Sequence, residues 1–223
     1  MILMKNRGMI FFSGAVVAAL ALASWWTGEM LPPGAQLPMH WNAAGEIDRY
    51  GDKWTALMMA PLMAAIISLV FTGIAAAEPR QDSLAKSRTL FRVVWIGVLG
   101  LTAAIELSVL AKAFHWPIAV LPLIFGAMGL FFLAMGNQLS KSRQMYFIGI
   151  RTPWTLADPE IWIATHRLGG KTTMIAGLIW LVCALAGWVN DFTIPFLVLA
   201  MIVATLLPVV YSYLLWRRLP RGN

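Results

Sequence analysis

The spacing of its apolar segments, and the side on which its cations fall, decide most of what this chain can become. Six apolar runs occupy residues 10–30, 55–77, 93–114, 117–135, 172–189 and 193–216. Each is near the roughly 20 residues that a helix needs to cross the hydrocarbon of a bilayer. Backbone polar groups find no water there, so such runs form helices whose hydrogen bonds close within the segment. Of the 17 lysines and arginines, only Arg49, Lys53 and Lys112 fall outside the loops and ends that share one side. That bias places both termini in the cytoplasm. Residues 1–223 read as a single all-α integral membrane domain, a bundle of six transmembrane helices. Residues 10–77 hold the first two spans and an outer loop, 31–54. Spans three and four follow over 93–135, a cytoplasmic loop over 136–171, and spans five and six over 172–216.

Composition narrows the function classes. The chain is 60% hydrophobic and 12% charged, with a mean hydropathy of +0.73. A soluble domain of this length is less apolar. The net charge of +7 comes from cations at helix ends, where they set orientation and meet anionic membrane lipids. They form no continuous patch interleaved with exposed aromatics, so direct nucleic-acid binding is not expected. Cys183 is the only cysteine, which excludes an intramolecular disulfide and a cysteine metal cluster. Ala21-Leu22-Ala23 resembles a signal-peptidase site behind Lys5 and Arg7. The apolar run continues through Trp25 and Trp26, so a retained first helix is expected.

Chemistry must come from the two long loops or from a polar residue within a span. The outer loop, LPPGAQLPMHWNAAGEIDRYGDKW, carries His40, Asn42, Glu46, Asp48 and Asp52 among helix-breaking prolines and glycines. It reads as a small polar recognition surface, with Asn42 and Gly45 suited to turns. Asp48 and Asp52 are suited to capping the next helix or pairing with Arg49 and Lys53. One histidine among carboxylates is a poor zinc set, so no metal is expected. Glu106 is the one acid deep within a span. A carboxylate there is costly and marks a functional hypothesis by default.

The inner loop is the densest in information. Asn137, Lys141, Arg143, Tyr146 and Arg151 supply donors and charge. Gly149-Ile150-Arg151-Thr152-Pro153-Trp154-Thr155 reads as a tight turn. Asp158 and Pro159 read as the N-cap and first residue of a helix. That helix would carry Trp162, His166 and Arg167, stop at Gly169-Gly170, and lie as a short amphipathic helix on the inner membrane surface. Glu160 and His166 would face different sides of it. With no nucleophile motif, phosphate loop or two-histidine metal spacing, neither catalysis nor a cofactor is expected.

These loops resemble the two signatures of the SdpI family of bacterial membrane proteins. The outer resemblance rests on Pro38, His40, Trp41, Asn42, Gly45 and Asp48. The inner one rests on Gly136, Asn137, Tyr146, Gly149, Arg151, Thr152, Pro153, Trp154, Trp162, His166 and Arg167. Met145 departs from the pattern, which usually has asparagine before the tyrosine. The resemblance implies an immunity protein of the bacterial plasma membrane that neutralises a secreted antimicrobial peptide toxin and retains a cytosolic transcriptional repressor at the membrane. On that reading, His40, Trp41, Asn42, Gly45 and Asp48 meet the peptide outside. Asn137, Arg143, Tyr146, Gly149, Arg151, Pro153, Trp154, Trp162, His166 and Arg167 meet the partner inside. The competing reading is a small proton-coupled transporter or exporter, which requires Glu106 to line a cavity between spans. A membrane enzyme would need a polar cleft joining His166, Glu160 or Asp158 to the membrane surface.

Overall fold

The computed structural model describes residues 7–218. In chain order the elements are α1 (Arg7–Met30), β1 (Gln36–Trp41), β2 (Ile47–Asp52), α2 (Lys53–Ala77), α3 (Gln81–Lys86), α4 (Arg88–Ala113), α5 (Val120–Leu139), α6 (Pro153–Ala157), α7 (Pro159–Leu185) and α8 (Ile194–Arg218). The six long helices, α1, α2, α4, α5, α7 and α8, are each long and apolar enough to span a membrane. They bear out the six expected spans. Helix α1 packs on α2 and α4. Helix α5 packs most extensively on α7, which packs on α8, and α4 joins the two groups through α5.

Two apolar clusters hold the first group of helices. Toward the inner loop, Phe71, Phe91 and Trp95 form an aromatic knot with ring centroids 5.5–5.7 Å apart, joined by Ala64, Leu99, Leu139 and Met145. Met145, where the sequence departs from the resemblance noted above, is buried in this apolar cluster. Toward the outer loop, Leu37, Ala56, Leu57 and Val109 pack with Met39 and Trp41.

The α5–α7 contact depends on glycine. A Cβ on Gly129 would lie 2.9 Å from the Gly177 carbonyl oxygen, and a Cβ on Gly136 would lie 2.7 Å from that of Gly170. Both pairs are spaced seven residues apart on antiparallel helices, so the backbones touch twice along one face. Small residues serve membrane bundles this way, because lipid supplies no hydrophobic drive between helices and close packing must.

Two expectations are corrected. The expected all-α fold is not purely helical: β1 and β2 form an antiparallel hairpin in which Gln36 pairs with Asp52 and Trp41 with Ile47. Pro32 and Pro33 exclude helix, and a sharp turn between Asn42 and Glu46 lets the flanking segments pair. Nor is there a separate amphipathic helix ending at Gly169-Gly170. Asp158 does cap, accepting from the Glu160 and Ile161 amides, but α7 then runs unbroken to Leu185. Both glycines are buried within it. Gly170 is glycine because the α5 backbone leaves no room for a Cβ, not because the helix ends there.

Candidate functional site

The hairpin presents its polar residues outward. Asn42 builds the turn: its Oδ1 accepts from the Ala44 and Glu46 amides, both at 2.9 Å. Gly45 takes φ +81°, which glycine adopts without strain. His40 Nδ1 lies 2.6 Å from Asp48 Oδ1, tying the two strands together. Their side chains remain 58% and 44% exposed, so the pair is both linked and accessible. Trp41 turns the other way, onto the apolar cluster beneath. The structure thus brings His40 and Asp48 together, gives Asn42 and Gly45 a turn-forming role, and sends Trp41 toward the bundle.

Asp52 and Lys53 anchor the hairpin. Asp52 caps α2 by accepting from the Trp54 amide at 2.9 Å and the Thr55 amide at 3.4 Å. Lys53 is buried, and its ammonium donates to the carbonyls of Gly28 and Leu31, both at 2.7 Å. A cation suits the carbonyl end of a helix. This outer lysine is therefore consumed by the C-terminus of α1.

Glu106 is 1% exposed. Ser24 Oγ donates to its Oε1 at 2.7 Å, joining α1 to α4. Glu106 lines a cavity of about 150 Å³ with Pro38, Met39, Trp41, Met63 and Thr102. The cavity that the transport reading requires is therefore present, but it lies beneath the hairpin. A second cavity of about 520 Å³ lies at the opposite end, bounded by α2, α4, α5, α7, α8 and residues 147–152. The two cavities share no lining residue.

The inner segment is organised by a residue that sequence reasoning missed. Glu78, 2% exposed, follows α2 directly. Its carboxylate accepts from the amides of Arg80, Tyr146 and Phe147 at 3.0–3.2 Å. The available signal was its position: an acid at a helix C-terminus opposes the macrodipole and needs another reason to be there. Arg80 completes the clamp, donating to Gln144 Oε1 at 2.6 Å and lying 4.8 Å from the Tyr146 ring.

Gly149, Trp162 and His166 form the centre. The His166 ring stacks on Trp162 with centroids 3.9 Å apart. His166 Nδ1 donates to the Trp162 carbonyl at 2.8 Å, and Nε2 accepts from the Ile150 amide at 2.9 Å. That pattern selects the neutral tautomer. Gly149 has φ +123°, and a Cβ there would lie 2.6 Å from Trp162 and 2.7 Å from His166 Nε2. Pro153 opens α6, while Trp154 bonds to Ser212 and stacks on Trp216, pinning α6 to α8. Tyr146 and Arg151 lie on the exposed rim, where Arg151 Nη1 donates to the Tyr146 carbonyl at 2.7 Å. Asn137, Arg143 and Arg167 are also exposed, but no contact gathers them with the centre. Asp158 is spent on its cap, Glu160 is exposed, and both His166 nitrogens are bonded. Among the described residues no group of three or more His, Cys, Asp or Glu is placed to hold a metal ion.

Comparison with known proteins falls on the same two regions. Residues 15–65, covering most of α1, the hairpin and half of α2, match a domain of unknown function (DUF1648). Residues 141–212, from the inner segment into α8, match the SdpI/YfhL protein family. The chain is 28% identical over 181 residues to the immunity protein SdpI of Bacillus subtilis (strain 168), which covers 80% of this chain and 81% of that one. No solved structure matches. Residues 141–212 are thus similar to the SdpI/YfhL protein family and residues 15–65 to the DUF1648 domain, the resemblance that the two signature loops led us to expect.

Proposed function

We propose that this protein is an immunity protein of the bacterial inner membrane, with both termini and the inner segment in the cytoplasm. The hairpin recognises a secreted amphipathic peptide, with His40 and Asp48 as its accessible polar contacts. The inner rim of Tyr146, Arg151, Arg143 and Arg167 receives a cytosolic repressor. The observation that carries this reading is the relationship to an immunity protein over four-fifths of the chain, with both structured loops inside the matched segments. The exposed His40–Asp48 pair adds a surface able to meet a polar ligand.

The test is expression in a sensitive bacterium challenged with a panel of secreted amphipathic peptides, with survival and membrane potential as readouts. Selective protection is expected. Arg151→Ala should release the cytosolic partner while resistance persists; joint loss of both at normal membrane levels would refute the division of labour. Transport through Glu106 is less well supported, because the two cavities share no lining residue.

A further inference from the structure

Beneath the hairpin two buried polar atoms lack partners. They are Glu106 Oε2 and Trp41 Nε1, and both residues line the same cavity of about 150 Å³. Buried polar groups in folded proteins are nearly always bonded, so two orphans at one cavity call for a cause. Ser24 holds the other carboxyl oxygen, which fixes the side chain and leaves Oε2 as its open position. Most of the remaining wall is apolar, including Pro38, Met39, Met59 and Met63. Methionine side chains adapt to varied shapes.

The required chemistry follows from the pair. An indole N–H only donates, so it needs an acceptor; Glu106 Oε2 accepts when ionised and donates when protonated. An ammonium group or a metal cation satisfies the carboxylate and leaves the indole stranded. A hydroxyl or a carboxamide carries both functions. Water carries both functions too, and a cavity of about 150 Å³ also has room for a larger group than the roughly 10–15 Å³ that one water needs. Met59, Met63 and Ile105 belong to its wall and are 43%, 46% and 48% exposed on membrane-length helices. Entry is therefore from the membrane between α2 and α4.

We propose that this cavity is a binding site for a compact neutral hydroxyl or amide group, which donates to Glu106 Oε2 and accepts from Trp41 Nε1. The site is separate from the exposed His40–Asp48 face and stands whether or not the protein confers immunity.

The test uses the full chain in phosphatidylcholine nanodiscs, a lipid whose headgroup has no hydrogen-bond donor. The indole N–H resonance of Trp41, assigned by its loss in Trp41→Phe, is followed during titration with propanamide and, separately, propan-1-ol. A saturable shift of that resonance is expected, abolished in Glu106→Leu. Met63→Phe narrows the mouth while leaving Glu106 and Ser24 in place, and should weaken binding several-fold without unfolding the chain. Absence of a saturable shift, or an equal shift in both variants, overturns the proposal. So does tighter binding of propylammonium than of propanamide. Doping with phosphatidylglycerol distinguishes the sources: a shift produced by that lipid alone assigns the hydroxyl to its headgroup, and a shift seen only with the soluble probes assigns the group to a solute or peptide. The site stands in either case.

Discussion

The outer hairpin and the inner segment are attached to the same bundle in opposite ways. The hairpin is held by main-chain pairing between two strands, yet its candidate contacts His40 and Asp48 remain open to solvent. Between α5 and α7 the inner segment's regular structure is limited to the five residues of α6. Its amides nevertheless end on buried acceptors, Glu78 and His166. Regular structure and fixedness are therefore different properties. A loop is held by how many of its polar groups are satisfied inside the protein, since opening it strands them. The hairpin can vary its face at small cost, whereas the inner segment is part of the architecture.

This contrast predicts a descending series. Glu78→Ala should be worst, because it strands up to three amides at about 1–3 kcal/mol each. A loss of about 3 kcal/mol or more should appear in reversible unfolding from mixed micelles; a loss below about 1 kcal/mol would erase the contrast. Gly149→Ala should come next, at about 2–3 kcal/mol, from backbone strain and collision with Trp162 and His166. In the hairpin, Asn42→Ala removes the acceptor for two turn amides and should cost about 1 kcal/mol. Hydrogen exchange should rise at Ala44 and Glu46 alone. Asp48→Ala should move stability least, within about 1 kcal/mol, because an exposed pair is screened by water. A large loss of stability there would make the hairpin structural after all.

Much of this was legible in sequence. Six spans follow from hydropathy alone, and Asp158-Pro159 announces the start of α7 where it occurs. The hairpin was harder to see, because its strands are six residues each, interrupted by Pro38, with an irregular register near His40. Gly169-Gly170 was misread because glycine carries two signals, helix end and close backbone approach, and only the position of α5 separates them. The matched seven-residue spacing of Gly129/Gly136 and Gly170/Gly177 was the available clue. Glu78 was missed because two of its partners are main-chain amides 68 and 69 residues distant, which no side-chain pattern records. The cavity at Glu106 depends on Trp41 reaching beneath the hairpin, a tertiary contact that span positions do not give.

The most direct measurement is survival and membrane potential of a sensitive bacterium expressing the His40→Ala/Asp48→Ala double variant, challenged with a peptide against which the unaltered chain protects. The account predicts normal membrane levels, a nearly unchanged unfolding midpoint and lost protection. Undiminished protection would contradict the assignment of recognition to the hairpin.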